Sequence, residues 1–178
     1  MSSPGCRRQT GMTDTTTPTR HGSAVITLPS DTDYLITRSF DAPADAVFDA
    51  VTDPGLVQRW WGFESSEWLA CDADLRIGGG WRYCTRDEGF EVGFHGVYRD
   101  LQRPTRIVST EAYEGIPDPD GSATVNTVTL DEADGVTTMR VLVQHPTHDD
   151  REAVFASGME GGMQVSYDRL EDLLRTEA

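Results

Sequence analysis

The chain has 178 residues, 37% hydrophobic and 25% charged, enough for one domain that buries roughly 70% of its unfolded surface. Its net charge is −15 and all 15 basic residues are arginines, so the absence of lysine excludes Schiff-base chemistry, pyridoxal-phosphate attachment and a P-loop lysine. The acidity also argues against nucleic acid or an anionic membrane as partner, because phosphate binding needs clustered positive charge.

Residues 1–30 are rich in Ser, Thr, Pro and Gly without sustained periodicity, a composition that cannot offset its own ordering entropy. A disordered tail is expected there, ahead of a folded domain over 31–178, and Met12 is an alternative start to Met1. Arg7 and Arg8 are not followed by an apolar stretch, and no run is long enough to span a membrane. A cytoplasmic location is expected. The acidity itself fits either a solvated surface in a GC-rich coding background or adaptation to high salt.

From Asp33 the pattern changes. Tyr34 to Phe40 reads as a strand, and Asp41-Ala42-Pro43 as a helix start. Val47, Phe48 and Val51 fall on one helical face; Asp53-Pro54 starts a second short helix whose Leu56, Val57, Trp60 and Trp61 share a stripe. Two short amphipathic helices need a sheet to cover them. Strands follow over Glu67–Ala73, Trp81–Arg86, Glu91–Arg99, Arg106–Tyr113, Ala123–Asp131 and Val136–Gln144, the last two joined through Asp134-Gly135, a strong turn signal. Beyond His145-Pro146 the period becomes helical. Phe155, Met159, Met163, Tyr167, Leu170 and Leu174 step down one face of a single long helix, with Gly158, Gly161 and Gly162 predicting a kink or a close approach in its first half.

Cys6, Cys71 and Cys84 make neither a disulfide framework nor a zinc site. A hairpin centred on Ile77-Gly78 would bring Cys71 and Cys84 close, although reduced thiols are expected in a cytoplasmic chain. His145-x-x-His148-Asp149-Asp150 resembles metal ligands but dictates no third ligand, and capping at a strand-to-helix junction explains it as well. His95, opposite Phe94 and Tyr98 in alternation, suits a surface or inter-strand role. Asp74 and Arg76 are read as tying down a tight turn. Glu111 and Arg140 lie mid-strand, and either could be an interior polar anchor. No nucleophile–base signature is present, so no catalytic residue, metal or cofactor is assigned.

The element order is similar to the helix-grip fold of the START, or birch-pollen-allergen-like, superfamily (SRPBCC). Within it the chain resembles the heat-shock-protein-90 ATPase activator homologue family. The resemblance rests on Arg38, Phe40, Ala42 and Pro43, on Trp60-Trp61 after Asp53-Pro54, and on Asp74 to Gly79 with Trp81-Arg82. Phe94, Gly96 and Tyr98, and Ser157-Gly158-Met159, complete it. It implies an α+β domain in which a curved seven-stranded antiparallel sheet wraps a long C-terminal helix, with two short helices after the first strand. It also implies a cavity between sheet and helix for a small apolar or amphipathic molecule. Trp60, Trp61, Trp81, Phe94, Tyr113, Met159 and Met163 could line that cavity, or could simply fill the core. The leading expectation is a ligand-binding protein, monomeric or homodimeric. The alternatives are a cavity enzyme of cyclase or hydrolase type and a chaperone-associated protein. The co-chaperones that name the family carry a further N-terminal chaperone-binding domain, which a 30-residue tail is not expected to supply. An ionisable pair facing the cavity would favour the enzyme; an apolar patch on the outer sheet would favour the chaperone partner.

Overall fold

The computed structural model describes residues 23–62 and 65–177. Strand β1 (Val25–Thr27) is followed by β2 (Asp33–Phe40), in which every second residue, Tyr34, Ile36, Arg38 and Phe40, is buried. That alternation is the mark of a strand with one face on the core.

Helix α1 (Ala44–Thr52) opens just after Pro43, which as the N-cap residue supplies no side-chain hydrogen bond. The amide of Ala44 instead donates to the carboxylate of Glu132, 2.8 Å away on a strand far along the chain. Helix α2 (Pro54–Trp60) is capped as its sequence predicts: the Asp53 carboxylate accepts from the amides of Gly55 and Leu56. Trp60 donates its indole N–H to the Ala50 carbonyl at 2.8 Å, which pins the two helices together.

The remaining strands are β3 (Glu67–Ala73), β4 (Gly80–Asp87), β5 (Phe90–Gln102), β6 (Arg106–Tyr113), β7 (Thr124–Ala133) and β8 (Val136–Gln144). They form one open antiparallel sheet in the order β1-β2-β8-β7-β6-β5-β4-β3. The sheet has eight strands where seven were expected. The additional one, β1, lies inside the stretch expected to be a disordered tail: Val25–Thr27 pairs with Leu35–Thr37. It is held from the other side as well. The Gln164 side-chain amide donates to the Ala24 carbonyl at 2.7 Å and accepts from the Ala24 amide at 2.9 Å, so it acts as one rung of a ladder. Residues 1–22, with both candidate start methionines and Cys6, lie outside the described residues.

The single C-terminal helix predicted by the apolar stripe is two helices, α3 (His148–Ala156) and α4 (Met159–Glu177). Gly158 separates them at φ 77°, a left-handed conformation that ends a helix and that side chains resist. Phe155 of the stripe therefore sits on α3, where it packs edge-on against Tyr34 at 5.4 Å. The rest of the stripe follows α4 across the concave face of the sheet.

Sheet and helix are joined at one end by a dry core, with Phe40, Val47, Val57, Leu130 and Leu170 at most 2% exposed. A buried ion network lies in the same region. One terminal nitrogen of Arg38, Nη2, meets Asp168 at 2.7 Å and Glu171 at 2.6 Å, and Glu171 also accepts from Arg175. The guanidinium of β2 thus fixes the rotation of α4, because moving the helix would strand a buried carboxylate.

Candidate functional site: the open end of the helix grip

Burial falls along α4 from its C-terminal to its N-terminal half. Tyr167, Leu170, Glu171, Leu173 and Leu174 are buried, whereas Met163 and Met159 are only half-buried. The sheet shows the same gradient on its inner face. Ile107 and Leu130 are buried; Ser109, Glu111 and Asn126 are half-buried; Tyr113 is 39% exposed. Register puts these at one end, since Glu111 pairs with Thr124, Val125 with Gln144, and Tyr34 with Val143. The helix closes on the sheet at the Phe40–Leu170 end, and burial on both sides is less complete toward the Tyr113–Met159 end.

A connected run of rings lies toward that end. Trp61 lies 5.6 Å from Trp68, 6.1 Å from Tyr83 and 5.8 Å from Phe94, and Phe94 lies 5.2 Å from Tyr113. Trp61 also borders an open groove of about 200 Å³ with Phe90 and Val92. Gly96 keeps the β5–β6 contact close: a Cβ there would sit 1.8 Å from the Thr110 carbonyl oxygen.

The floor is polar. Glu111 shares the inner face with Ile107 and Tyr113, and its charge is felt by Tyr34 on β2 and Tyr167 on α4. Burial holds its carboxyl above the usual carboxylate range, opposed by a side-chain hydrogen bond with Asn126. Thr124 Oγ1 donates to Asn126 Oδ1 at 2.9 Å, which leaves the Asn126 NH2 for the Glu111 carboxylate. The hydroxyls of Tyr34 and Tyr167 titrate well above their ordinary range, first because they are buried and then because Glu111 is near.

Of the seven residues expected to line a cavity, Trp61, Phe94 and Tyr113 form the ring wall, and Met159 and Met163 stand half-buried on α4. Trp60 and Trp81 turn into the core: Trp60 packs against Tyr167 at 6.2 Å and Trp81 against Tyr83 at 4.9 Å. Glu111 proves to be the inward one of the two mid-strand candidates, while Arg140 faces out and pairs with Asp131. Tyr34, Asn126 and Tyr167 carry no sequence motif. Their signal is register: once Ile107 and Leu130 are placed in the core, alternation along β6 and β7 puts Glu111 and Asn126 inside.

The other polar candidates lie elsewhere. His95 is on the outer face, 3.1 Å from Glu114 and 3.2 Å from Asp120, and Glu114 is held below its usual range chiefly by its hydrogen bonds to Arg82. His145 lies under Tyr34 at 5.6 Å, with desolvation pushing its pKa down, while His148 begins α3 behind the Thr147 cap. Asp74 and Arg76 do tie down their turn, at 2.8 Å. Cys71 and Cys84 are free thiols: Cys71 pairs with Tyr83 and Cys84 with Ala70, a register one residue off the expected centre that sends them to opposite faces. Burial raises the Cys71 thiol to about 11. Among the described residues, no helix is long and apolar enough to cross a membrane.

The family model for activator of Hsp90 ATPase homolog 1-like proteins matches residues 41–175, from the entry to α1 to the last turn of α4. The chain belongs to this family. A crystal structure of a Rhodobacter sphaeroides protein, 27% identical, has a TM-score of 0.79 and covers 87% of this chain and 99% of its own. A Mycobacterium smegmatis protein at 22% identity has a TM-score of 0.76, covering 86% of this chain and 97% of its own. A Nitrosomonas europaea protein at 21% has a TM-score of 0.73, covering 84% and 98%. The last two speak for the fold alone. No curated protein matches the sequence. As a member of the Hsp90-activator-homologue family, the chain has a helix-grip architecture consistent with small-molecule binding.

Proposed function

We propose that the protein binds a small apolar or amphipathic molecule in the cleft between the concave sheet and the N-terminal half of α4, in the cytoplasm. The observation that carries this reading is the matched loss of burial on both sides of one end of the grip. Met159 and Met163 on α4, and Phe94 and Tyr113 on the sheet, are large apolar groups left partly uncovered where the opposite end is dry. Apolar side chains facing each other across a gap are stabilised by anything apolar that fills it, at roughly 25 cal/mol per Å² removed from water. Methionines suit such a wall because their unbranched chains re-pack around different shapes.

The test is to narrow the gap. Dodecanol, below its solubility limit, should raise the Tm of the wild type and alter tryptophan emission through Trp61. Linkage gives about 2.7 kcal/mol of stabilisation at a hundredfold excess over Kd. Met163→Trp should abolish that shift while changing stability little, because the new ring enters unfilled space. A residue already packed in a full core would instead cost roughly 1–3 kcal/mol on enlargement. A strongly destabilised variant, together with a wild type that dodecanol does not shift, would overturn the reading.

A further inference from the structure

The groove of about 200 Å³ beside Trp61 lies at the tip of the hairpin that joins β4 to β5, and strand register builds it. Thr85 pairs with Val92 and Asp87 with Phe90, so these side chains continue toward the turn the column that begins with Tyr83 opposite Phe94. Trp61 and Gly62, just past α2, border the groove from the other side, and Glu88 of the turn completes its rim. Arg169 donates to the Gly62 carbonyl at 2.8 Å, which ties that segment to α4. Two features of the rim have no part in holding the fold together. The Phe90 ring is 77% exposed, more than any other large apolar side chain among the described residues. Beside it, Asp87 and Glu88 bring two carboxylates with which no arginine pairs among the described residues; Asp87 accepts only the Ser65 hydroxyl, at 2.9 Å. Arg86 lies between Thr85 and Asp87 in sequence, so alternation turns it to the opposite face, where it meets Glu91 at 2.6 Å and Glu67 at 3.5 Å.

An apolar, aromatic wall with an uncompensated negative rim is complementary to one class of occupant. We propose that this groove binds a small organic cation of the methylated-ammonium class. Aromatic rings attract cations through the negative faces of their π-systems, and a methylated nitrogen presents apolar methyl groups while keeping its charge. Its methyls would lie against Trp61, Phe90 and Val92, with Asp87 and Glu88 answering the charge from the rim. Other classes fit worse. An anion would meet two like charges and no arginine. A hard divalent ion takes about six or more oxygen ligands, whereas most of this wall is apolar. The described residues also contain no group of three or more metal-ligating side chains. A neutral apolar molecule would gain the wall but nothing from the carboxylates. The site is formed by β4, β5 and the end of α2 and uses no side chain of α4, so it does not depend on the ligand-binding reading above, although Trp61 takes part in both.

Choline, its uncharged isostere 3,3-dimethylbutan-1-ol and the anion 3,3-dimethylbutanoate share a branched apolar end and differ in charge. Each is titrated into the full chain at a fixed, physiological concentration of potassium chloride. Binding is read from the NMR resonances of the Trp61 indole N–H and of the backbone amides of the β4–β5 turn. The wild type should bind choline about fivefold or more tighter than the alcohol, and the anion should give no saturable shift. Phe90→Ala removes an exposed ring without disturbing the core and should weaken choline about threefold or more. Asp87→Asn combined with Glu88→Gln keeps the shape of the rim and should bring choline down to the level of the alcohol. Asp31→Asn combined with Asp149→Asn removes the same number of charges from exposed positions before β2 and on α3, and should leave choline binding unchanged. Equal binding of choline and the alcohol to the wild type, or no saturable shift with choline, would overturn the site. So would wild-type affinity in Phe90→Ala, which would place the ion elsewhere. A preference that the Asp87 and Glu88 double variant retains, or that the Asp31 and Asp149 double variant loses equally, would reduce it to general surface attraction and overturn it as well. None of these outcomes bears on the response to dodecanol, so the two readings stand or fall separately.

Discussion

Glu111 has a consequence for folding that needs no ligand. Its carboxyl titrates above its ordinary value of 4.5 in the folded protein, because burial penalises the charged form. The folded state therefore holds a proton that the unfolded state gives up. Stability from this group is complete below the unfolded pKa and falls as the pH rises toward the folded value, the opposite of a salt-bridged carboxylate. The phenols facing it do not confuse the window, because Tyr34 and Tyr167 are pushed up from an already high range. Glu111→Gln should melt with the wild type near pH 4.5 and above it at pH 7.5. For a domain of this size, each 1 kcal/mol is roughly 2–4 °C. Thermal melts of both proteins across that range check the sign, and parallel curves would show that the carboxyl is solvated. Arg38 makes the contrasting case. It is more completely covered, two carboxylates answer it, and its role is to lock α4 to β2.

The elements divide by whether their signals are local. Asp53-Pro54 carries its own cap, and α2 starts where the sequence puts it; Asp134-Gly135 carries its own turn, with φ of 53° and 77°, and the last hairpin closes there. Helix α1 hides its cap, because the group that satisfies Ala44 is Glu132 on another element. The stripe from Phe155 to Leu174 reads as one helix because a positive φ at Gly158 leaves no mark on apolar spacing. Strand β1 was illegible for a similar reason. Three residues, Val25–Thr27, are too few to show a period, and half of what holds them is a side chain 140 positions away. That dependence can be measured. Gln164→Ala removes two hydrogen bonds worth roughly 0.5–1.5 kcal/mol each, so amide exchange in Val25–Thr27 should accelerate about tenfold or more. Exchange in the buried half of β2 should hardly change, since β8 still pairs with it over its full length. Unchanged protection of β1 would mean that the ladder to β2 suffices. The inner face was half legible on the same grounds. Its aromatic and methionine positions stand out in the sequence, but the inward placing of Glu111 and Asn126 depends on which face of β6 turns inward, and only register with β7 decides that.

At the scale of the whole molecule, excess negative charge governs how stability responds to the solvent. Thirty acidic residues face 15 arginines, and several arginines are committed to particular partners: Arg38 inside, and Arg82, Arg86 and Arg103 in surface pairs. Added salt acts on two opposed contributions. It weakens the exposed pairs, which are individually worth only about 0.2–1 kcal/mol, and it screens the mutual repulsion of the excess negative charge. The pairs operate at contact, inside the screening length, and lose little. The repulsion is summed over the whole surface at separations near or beyond about 10 Å, and loses most. Repulsion should therefore relax first. Tm is expected to rise between about 0.01 and 0.2 M potassium chloride, where the screening length shortens from about 30 to under 10 Å, and then to level off. A continued rise into molar salt would point to adaptation to a saline setting rather than to screening. A flat or falling curve at low salt would mean that the acidic residues are already balanced locally by their arginine partners.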